Sequence, residues 1–326
     1  MDPANTNVAG LVGPAGPVGP EGAVGPAGPV GPSGPPGPAS VGGGALRDIA
    51  VFDRKGALIM RIAEPSPIAK MSLSTDGTRV VYSLDAGRIM VLDLATRTRK
   101  QIAQGVQRTM VTFSPDGKRI AYNGVRNGSI GVVVAAADGT GGEELFFPGG
   151  SNLFQWSFDG RSIISGTAVT FVTIPVTAGA RLIPIMYRQG SIAITTSPDN
   201  RLIAFTEFRD GSSQLFVRPF LPAGSPMGAA AGAATAAAAA TPLWKVSVDG
   251  GVGLPFWNAD GREIYWLSPS GSVMAAPIIS TAPEFKAGTP IPLFPVPAGY
   301  PLGNAPGKIS DVSGDGQRFV FVLPGT

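Results

Sequence analysis

The chain has 326 residues and contains neither cysteine nor histidine. Those absences exclude disulfides, thiolate nucleophiles, imidazole general bases and ordinary zinc sites. Charged residues make up only 14% and the formal net charge is +3, so no large basic surface for nucleic acid is expected; the densest run, Arg97 to Lys100, reads as a solvated strand edge. The longest apolar runs, such as Val132 to Ala137, are far too short to span a bilayer, and no charged-then-apolar signal peptide is visible at the start.

Glycine recurs without a break at Gly10, Gly13, Gly16, Gly19, Gly22, Gly25, Gly28, Gly31, Gly34 and Gly37, which makes ten Gly-X-Y triplets over residues 10–39. Three polyproline-II chains wind around one axis only if every third residue lacks a side chain, because a Cβ there collides with the other two chains. Eight of the ten X positions are proline, which pre-sets φ and lowers the entropic cost of ordering. The pattern predicts a collagen-like triple helix, and therefore a homotrimer. The outward Y positions include Val12, Val18, Val24 and Val30, and Glu21 is the single charge of the segment. Such an apolar outer surface predicts that something covers the arm. At ~3.1 Å per residue the arm extends on the order of 90 Å, against roughly 50 Å for a compact head of that size.

After a lead (1–9), the arm (10–39) and a Gly-rich hinge (40–45), residues 46–326 are internally repetitive. Six segments align on an aspartate followed by Gly or Asn, at Asp76, Asp116, Asp159, Asp199, Asp260 and Asp315, as in SLSTDGTRVVY and TFSPDGKRIAY. Each reads as strand, tight turn, strand: Gly accepts positive φ and the aspartate bonds the following backbone. Runs rich in β-branched and aromatic residues follow, then two further strands, as in GRIMVLDLA and RKQIAQG. Four strands in each of six repeats is the arithmetic of an all-β, six-bladed β-propeller. The last repeat ends after two strands, and residues 47–65 hold two unassigned ones, which are predicted to complete the last blade and close the ring. An Ala-rich insertion, 224–242, interrupts the fourth repeat between its third and fourth strands and reads as a low-complexity loop.

The repeat S-x-D-G-x-[KR]-[IL]-[AV]-[YF] resembles that of TolB-like or WD-repeat-like propellers, and Leu243 to Ile278 is similar to propeller regions of some bacterial serine/threonine kinases. The resemblance implies a six-bladed ring that binds proteins or small ligands without a common catalytic set. No kinase domain is present, since a Gly-rich loop is missing and a catalytic His-Arg-Asp needs histidine.

Site candidates reduce to turns and loops. Asp311, Asp315 and Gly316 lack the alternating acids of a calcium loop, Gly303 to Lys308 lacks the spacing of a phosphate loop, and adjacent Glu143 and Glu144 on a strand face opposite ways. No catalytic residue, cofactor or metal site is expected. The reading is a non-enzymatic extracellular or cell-surface structural protein that trimerises through its arm and assembles through its heads into a fibre or surface layer. The alternative is a binding propeller displayed in threes on a stalk for avidity. Replacement of one axial glycine, Gly22→Ala, is expected to lower the melting temperature of the collagen-type circular-dichroism signal; an unchanged profile contradicts the triple helix.

Overall fold

The computed structural model describes residues 46–107, 109–149, 152–166, 170–177, 179, 181–187, 191–209, 211–220, 242–302 and 310–325. The lead, the Gly-X-Y segment with its glycines from Gly10 to Gly37 and its Val12, Val18, Val24 and Val30, the hinge, and all of the insertion but Pro242 lie outside the described residues.

The first hairpin is β1 (Leu46–Asp53) and β2 (Leu58–Ala63). Blade 1 follows as β3 (Ile68–Leu73), β4 (Arg79–Leu84), β5 (Arg88–Asp93) and β6 (Arg99–Gln104); blade 2 is β7 (Val111–Phe113), β8 (Arg119–Arg126), β9 (Ser129–Ala136) and β10 (Glu143–Pro148). Blade 3 contains β11 (Asn152–Trp156), β12 (Ser162–Gly166), β13 (Thr170–Pro175) and β14 (Ile183–Tyr187), and blade 4 contains β15 (Ser191–Thr196), β16 (Leu202–Arg209), β17 (Ser212–Pro219) and the two-residue β18 (Trp244–Lys245). Blade 5 is β19 (Val252–Trp257), β20 (Glu263–Leu267) and β21 (Ser272–Ser280), edged by the short β22 (Lys286–Ala287) and by β23 (Ile291–Pro295). The chain finishes with β24 (Ser310–Val312) and β25 (Arg318–Pro324). All strand pairs are antiparallel, and the described residues form an all-β, six-bladed propeller.

The sixth sheet runs β2-β1-β25-β24, so the first hairpin supplies the outer half of the blade that the C-terminal strands begin. Strand β1 pairs with β25 through seven residue pairs, from Leu46↔Pro324 to Asp53↔Arg318, and with β2 on its other side. The aromatic rings of Phe52, Phe294, Phe319 and Phe321 meet in the seam between blades 5 and 6, mostly edge to face, with centroids as close as 5.2 Å. Such pairs add about 0.5–1.5 kcal/mol each beyond the area they bury.

Burial explains the sequence texture of each blade. The second strand is sandwiched between neighbouring blades on both faces, so Val80, Val81 and Tyr82 in β4 are all inaccessible and the run shows no polar alternation. The outermost strand has one exposed edge, and β6 accordingly carries Arg99, Lys100 and Gln101 at the surface. Its basic run is not a free patch: Arg99 forms an ion pair with the buried Glu64 at 3.2 Å, and Lys100 donates to the Asp138 carbonyl at 2.6 Å.

The turn between first and second strands is built the same way around the ring. In blade 1, the Ser74 hydroxyl donates to Asp76 Oδ1 at 2.6 Å and accepts from the Arg79 backbone N–H at 2.9 Å, while Asp76 also accepts from the Thr78 N–H. The same network joins Ser114, Asp116 and Arg119, Ser157, Asp159 and Ser162, Ser197, Asp199 and Leu202, and Ser313, Asp315 and Arg318. Blade 5 substitutes Asn258, whose Oδ1 accepts from the Glu263 N–H. Hydrogen bonds from the Ser114 hydroxyl and then from the Lys118 N–H hold the Asp116 carboxyl below the usual aspartate range. At Asp76, burial works in the opposite direction and is outweighed by bonds from Ser74 and Thr78.

Because the folded carboxyls are depressed, their contribution is complete above the unfolded aspartate pKa and is lost as pH falls through the folded values. Melting temperature is therefore expected to drop as the pH is lowered from about 5 toward 2. Asp116→Asn should lower it at pH 7 and flatten that slope; a wild-type melt insensitive to acid contradicts the network.

Candidate functional site

The six turns place Asp76, Asp116, Asp159, Asp199, Asp260 and Asp315 on one face of the ring, one per blade. Each is spent on its own turn. The ring distributes these carboxylates rather than bringing them together, and no cluster of His, Cys, Asp or Glu able to hold a metal occurs among the described residues.

The face has a narrow central opening, where the ends of the inner strands enclose a cleft of about 80 Å³ lined in part by Ser72, Thr112, Gln155 and Asp311. Asp311 is only 7% exposed, yet its carboxylate reaches from blade 6 to blade 1, where Oδ2 accepts from the Leu73 N–H at 2.8 Å and the Ser72 hydroxyl at 3.1 Å. Gln155 does the same between blades 3 and 4, accepting from the Thr195 hydroxyl and donating to the Thr196 hydroxyl. A charge-assisted acceptor saturated by backbone and hydroxyl donors is a staple between blades and not a general base. Two indoles, Trp156 and Trp257, line the same cleft at 3% and 5% exposure, and neither Nε1 has a hydrogen-bond partner. Buried donors of this kind are uncommon in folded chains.

Around this opening the blades meet in six seams, and in four of them an arginine secures the turn margin. Arg79, three residues after the turn aspartate of blade 1, donates to the Gly117 carbonyl of the next turn at 2.8 Å and lies over the Phe113 ring at 5.4 Å. Arg119 of blade 2 lies over Trp156 of blade 3 at 4.8 Å. Arg318 of blade 6 donates to the Gly77 carbonyl of blade 1 at 2.8 Å. In the seam between blades 5 and 6, Glu263 takes the arginine's place and Arg54, from the β1–β2 turn, grips it with bonds of 2.6 and 2.8 Å. Arg54 also donates to Tyr265 at 2.9 Å and approaches the Gly316 carbonyl at 3.4 Å. Its bond to the Glu263 carboxylate raises the Arg54 pKa further above its ordinary value, keeping the closing clamp charged.

The turn glycine is required by its backbone conformation, and in this seam it also gives the guanidinium its place. Gly117 has φ +66°, and a Cβ there would lie 2.7 Å from the Arg79 guanidinium.

None of these seam residues stood out as a candidate in the sequence. The position three after the turn aspartate was visible as a basic letter of the repeat, but its partner belongs to the next blade, about forty residues away, and only the closed ring brings the two together. Asp311 entered the sequence reading only as part of a calcium-type loop that its spacing excludes, and nothing in that stretch signals its reach into blade 1.

Comparison of the sequence with protein-family models and with curated proteins finds no match. Comparison of the structure finds the fold. A protein described as a TolB of Agrobacterium tumefaciens superposes with a TM-score of 0.59 at 17% identity, covering 87% of this chain and all of that one. A Kuenenia stuttgartiensis hydrazine synthase gives 0.52 at 14% identity over 83% of this chain and 84% of its own. A functionally unknown protein from Desulfotomaculum acetoxidans gives 0.51 at 13%, over 80% and 81%. At such identities the likeness establishes the TolB-like, six-bladed β-propeller fold alone.

Arg79→Ala removes one carbonyl bond and one ring contact from the seam of blades 1 and 2. It is expected to cost about 1–2 kcal/mol, read as a lower denaturant midpoint at constant slope; an unchanged midpoint would show the seam to be indifferent to its guanidinium.

Proposed function

We propose that this protein is a non-enzymatic structural component of the cell exterior, which trimerises through its Gly-X-Y arm and builds a fibre or surface layer from its propeller heads. The observation that carries this reading is where the arm joins the head. Its thirty residues of strict phase lead through a short hinge into β1, the strand that closes the ring. Strand β1 is bonded on both sides, by seven pairs to β25 and five to β2. Tension along the arm would load those pairs together in shear instead of peeling an edge strand one bond at a time.

The chemistry of the head agrees with this reading. The most buried acids of the described residues are engaged in structural pairs: Asp48 with Arg61 at 2.6 Å, Glu64 with Tyr82 and Arg99, and Asp311 with blade 1. Among the described residues no helix is long and apolar enough to cross a membrane.

One observation favours the second reading, a trimeric binding propeller, namely the pair of unpartnered indoles in the central cleft. Deleting residues 1–42 separates the two. Under the structural reading the shortened protein stays folded and loses all higher-order particles in electron microscopy and sedimentation. Under the binding reading single-site affinity persists and only avidity falls. A full-length protein that sediments as a monomer contradicts both.

A further inference from the structure

Two of the six seams lack an arginine at the turn position, although the buried Arg218 of β17 lies opposite Ile203 of the core between blades 3 and 4, and at one of them a pair of departures from the repeat coincide. In the seam between blades 3 and 4, the residue at the arginine position is Ser162, and the turn residue that faces it is Asn200 in place of glycine. The equivalent pair in blades 1 and 2 is Arg79 and Gly117, where a Cβ would come within 2.7 Å of the guanidinium and push it aside. With serine in that position the obstruction is gone, and Asn200 keeps the same left-handed backbone at φ 53°. Asparagine tolerates that region better than other residues with a side chain.

What remains is a cavity of about 360 Å³, lined by both Ser162 and Asn200. Its walls suit one chemistry. Ile164, Ile185 and Phe220 provide an apolar passage for an alkyl stem, and the Asp159 carboxylate, already bonded to its own turn and to the Asn200 side chain, keeps negative charge at the polar end. The Asn200 Oδ1 is buried there without a hydrogen-bond partner, an acceptor waiting for a donor. A long apolar stem ending in a planar, charged, multiply donating group is an arginine side chain. It is also what the corresponding place holds in the seams of blades 1 and 2, 2 and 3, and 6 and 1.

We propose that the notch between blades 3 and 4 is a docking site for an arginine side chain presented by another protein chain, occupying the space that the repeat's own arginine fills elsewhere. The notch between blades 4 and 5, where Leu202 replaces the arginine, is a weaker counterpart: its cavity is about 260 Å³ and Leu202 is itself buried in the core. The site stands independently of the arm and of the fibre reading.

The test titrates the full chain with Nα-acetyl-arginine methylamide and with its neutral isostere, the citrulline derivative, followed by calorimetry or backbone NMR shifts. The arginine derivative is expected to bind at least tenfold more tightly than citrulline. Asn200→Leu, which removes the free acceptor, is expected to weaken arginine at least tenfold with the circular-dichroism spectrum unchanged. The double variant Ser162→Arg with Asn200→Gly rebuilds the repeat's clamp, and should raise the melting temperature while abolishing binding. Loss of self-association in Asn200→Leu assigns the arginine to a second copy of this chain, and its retention alongside lost arginine binding assigns it to a different protein; either supports the site. Equal binding of arginine and citrulline, no binding by the wild type, or binding that survives in a folded double variant overturns it.

Discussion

Ring closure is the constraint on which the rest of this molecule depends. Each blade is hydrophobic on both faces and is stable only between two neighbours, so a chain of blades has no stable end until the last meets the first. Here the meeting is made without a covalent link, by backbone pairing of β1 to β25 within one sheet. Side chains then secure the same region: an aromatic seam between blades 5 and 6, the Arg54 clamp on Glu263 and Tyr265, and the Asp311 staple from blade 6 into blade 1. Backbone pairing, aromatic contacts and charged bonds thus all act on the blades that meet at the ring's junction.

The seams between blades follow from the same geometry. Wedge-shaped blades that pack tightly toward the axis diverge toward the turns, and the divergence leaves polar backbone at its margin. A guanidinium meets that need because its planar donors satisfy a turn carbonyl while its face lies on an aromatic ring. Arg79 and Arg119 do this for blades 1 to 3. Where the arginine is absent, at Ser162 and Leu202, cavities open at the corresponding margins. The ring is thus regular in its backbone and irregular in its margins, and the irregular margins are where a partner finds chemistry that the ring does not already use.

Much of this architecture was legible from the repeat. Asp76, Asp116 and their equivalents identified the turns because their role is local: carboxylate, serine hydroxyl and backbone N–H groups all lie within six residues of one another. Strand order, and the four strands of every blade but the fifth, which gains an extra edge strand, followed from hydrophobic runs whose spacing needs no tertiary information. The same aspartates were tempting as a functional set only because repetition looks like design; in the ring they are separated, one to a blade, each consumed by its own turn. The residues that act across space were not legible. Arg54 meets Glu263 from more than two hundred positions away, and Asp311 reaches Leu73 across the ends of the chain.

By itself the sequence determined the strands, the turns, the count of blades and the strict three-residue phase of the arm, all of which rest on short-range periodicity and on the backbone preferences of glycine, proline and aspartate. Only the tertiary structure decided which side chains share a seam, which acids are saturated, and which notches stay open. Those properties depend on contacts between residues tens to hundreds of positions apart, and such contacts exist only once the ring has closed.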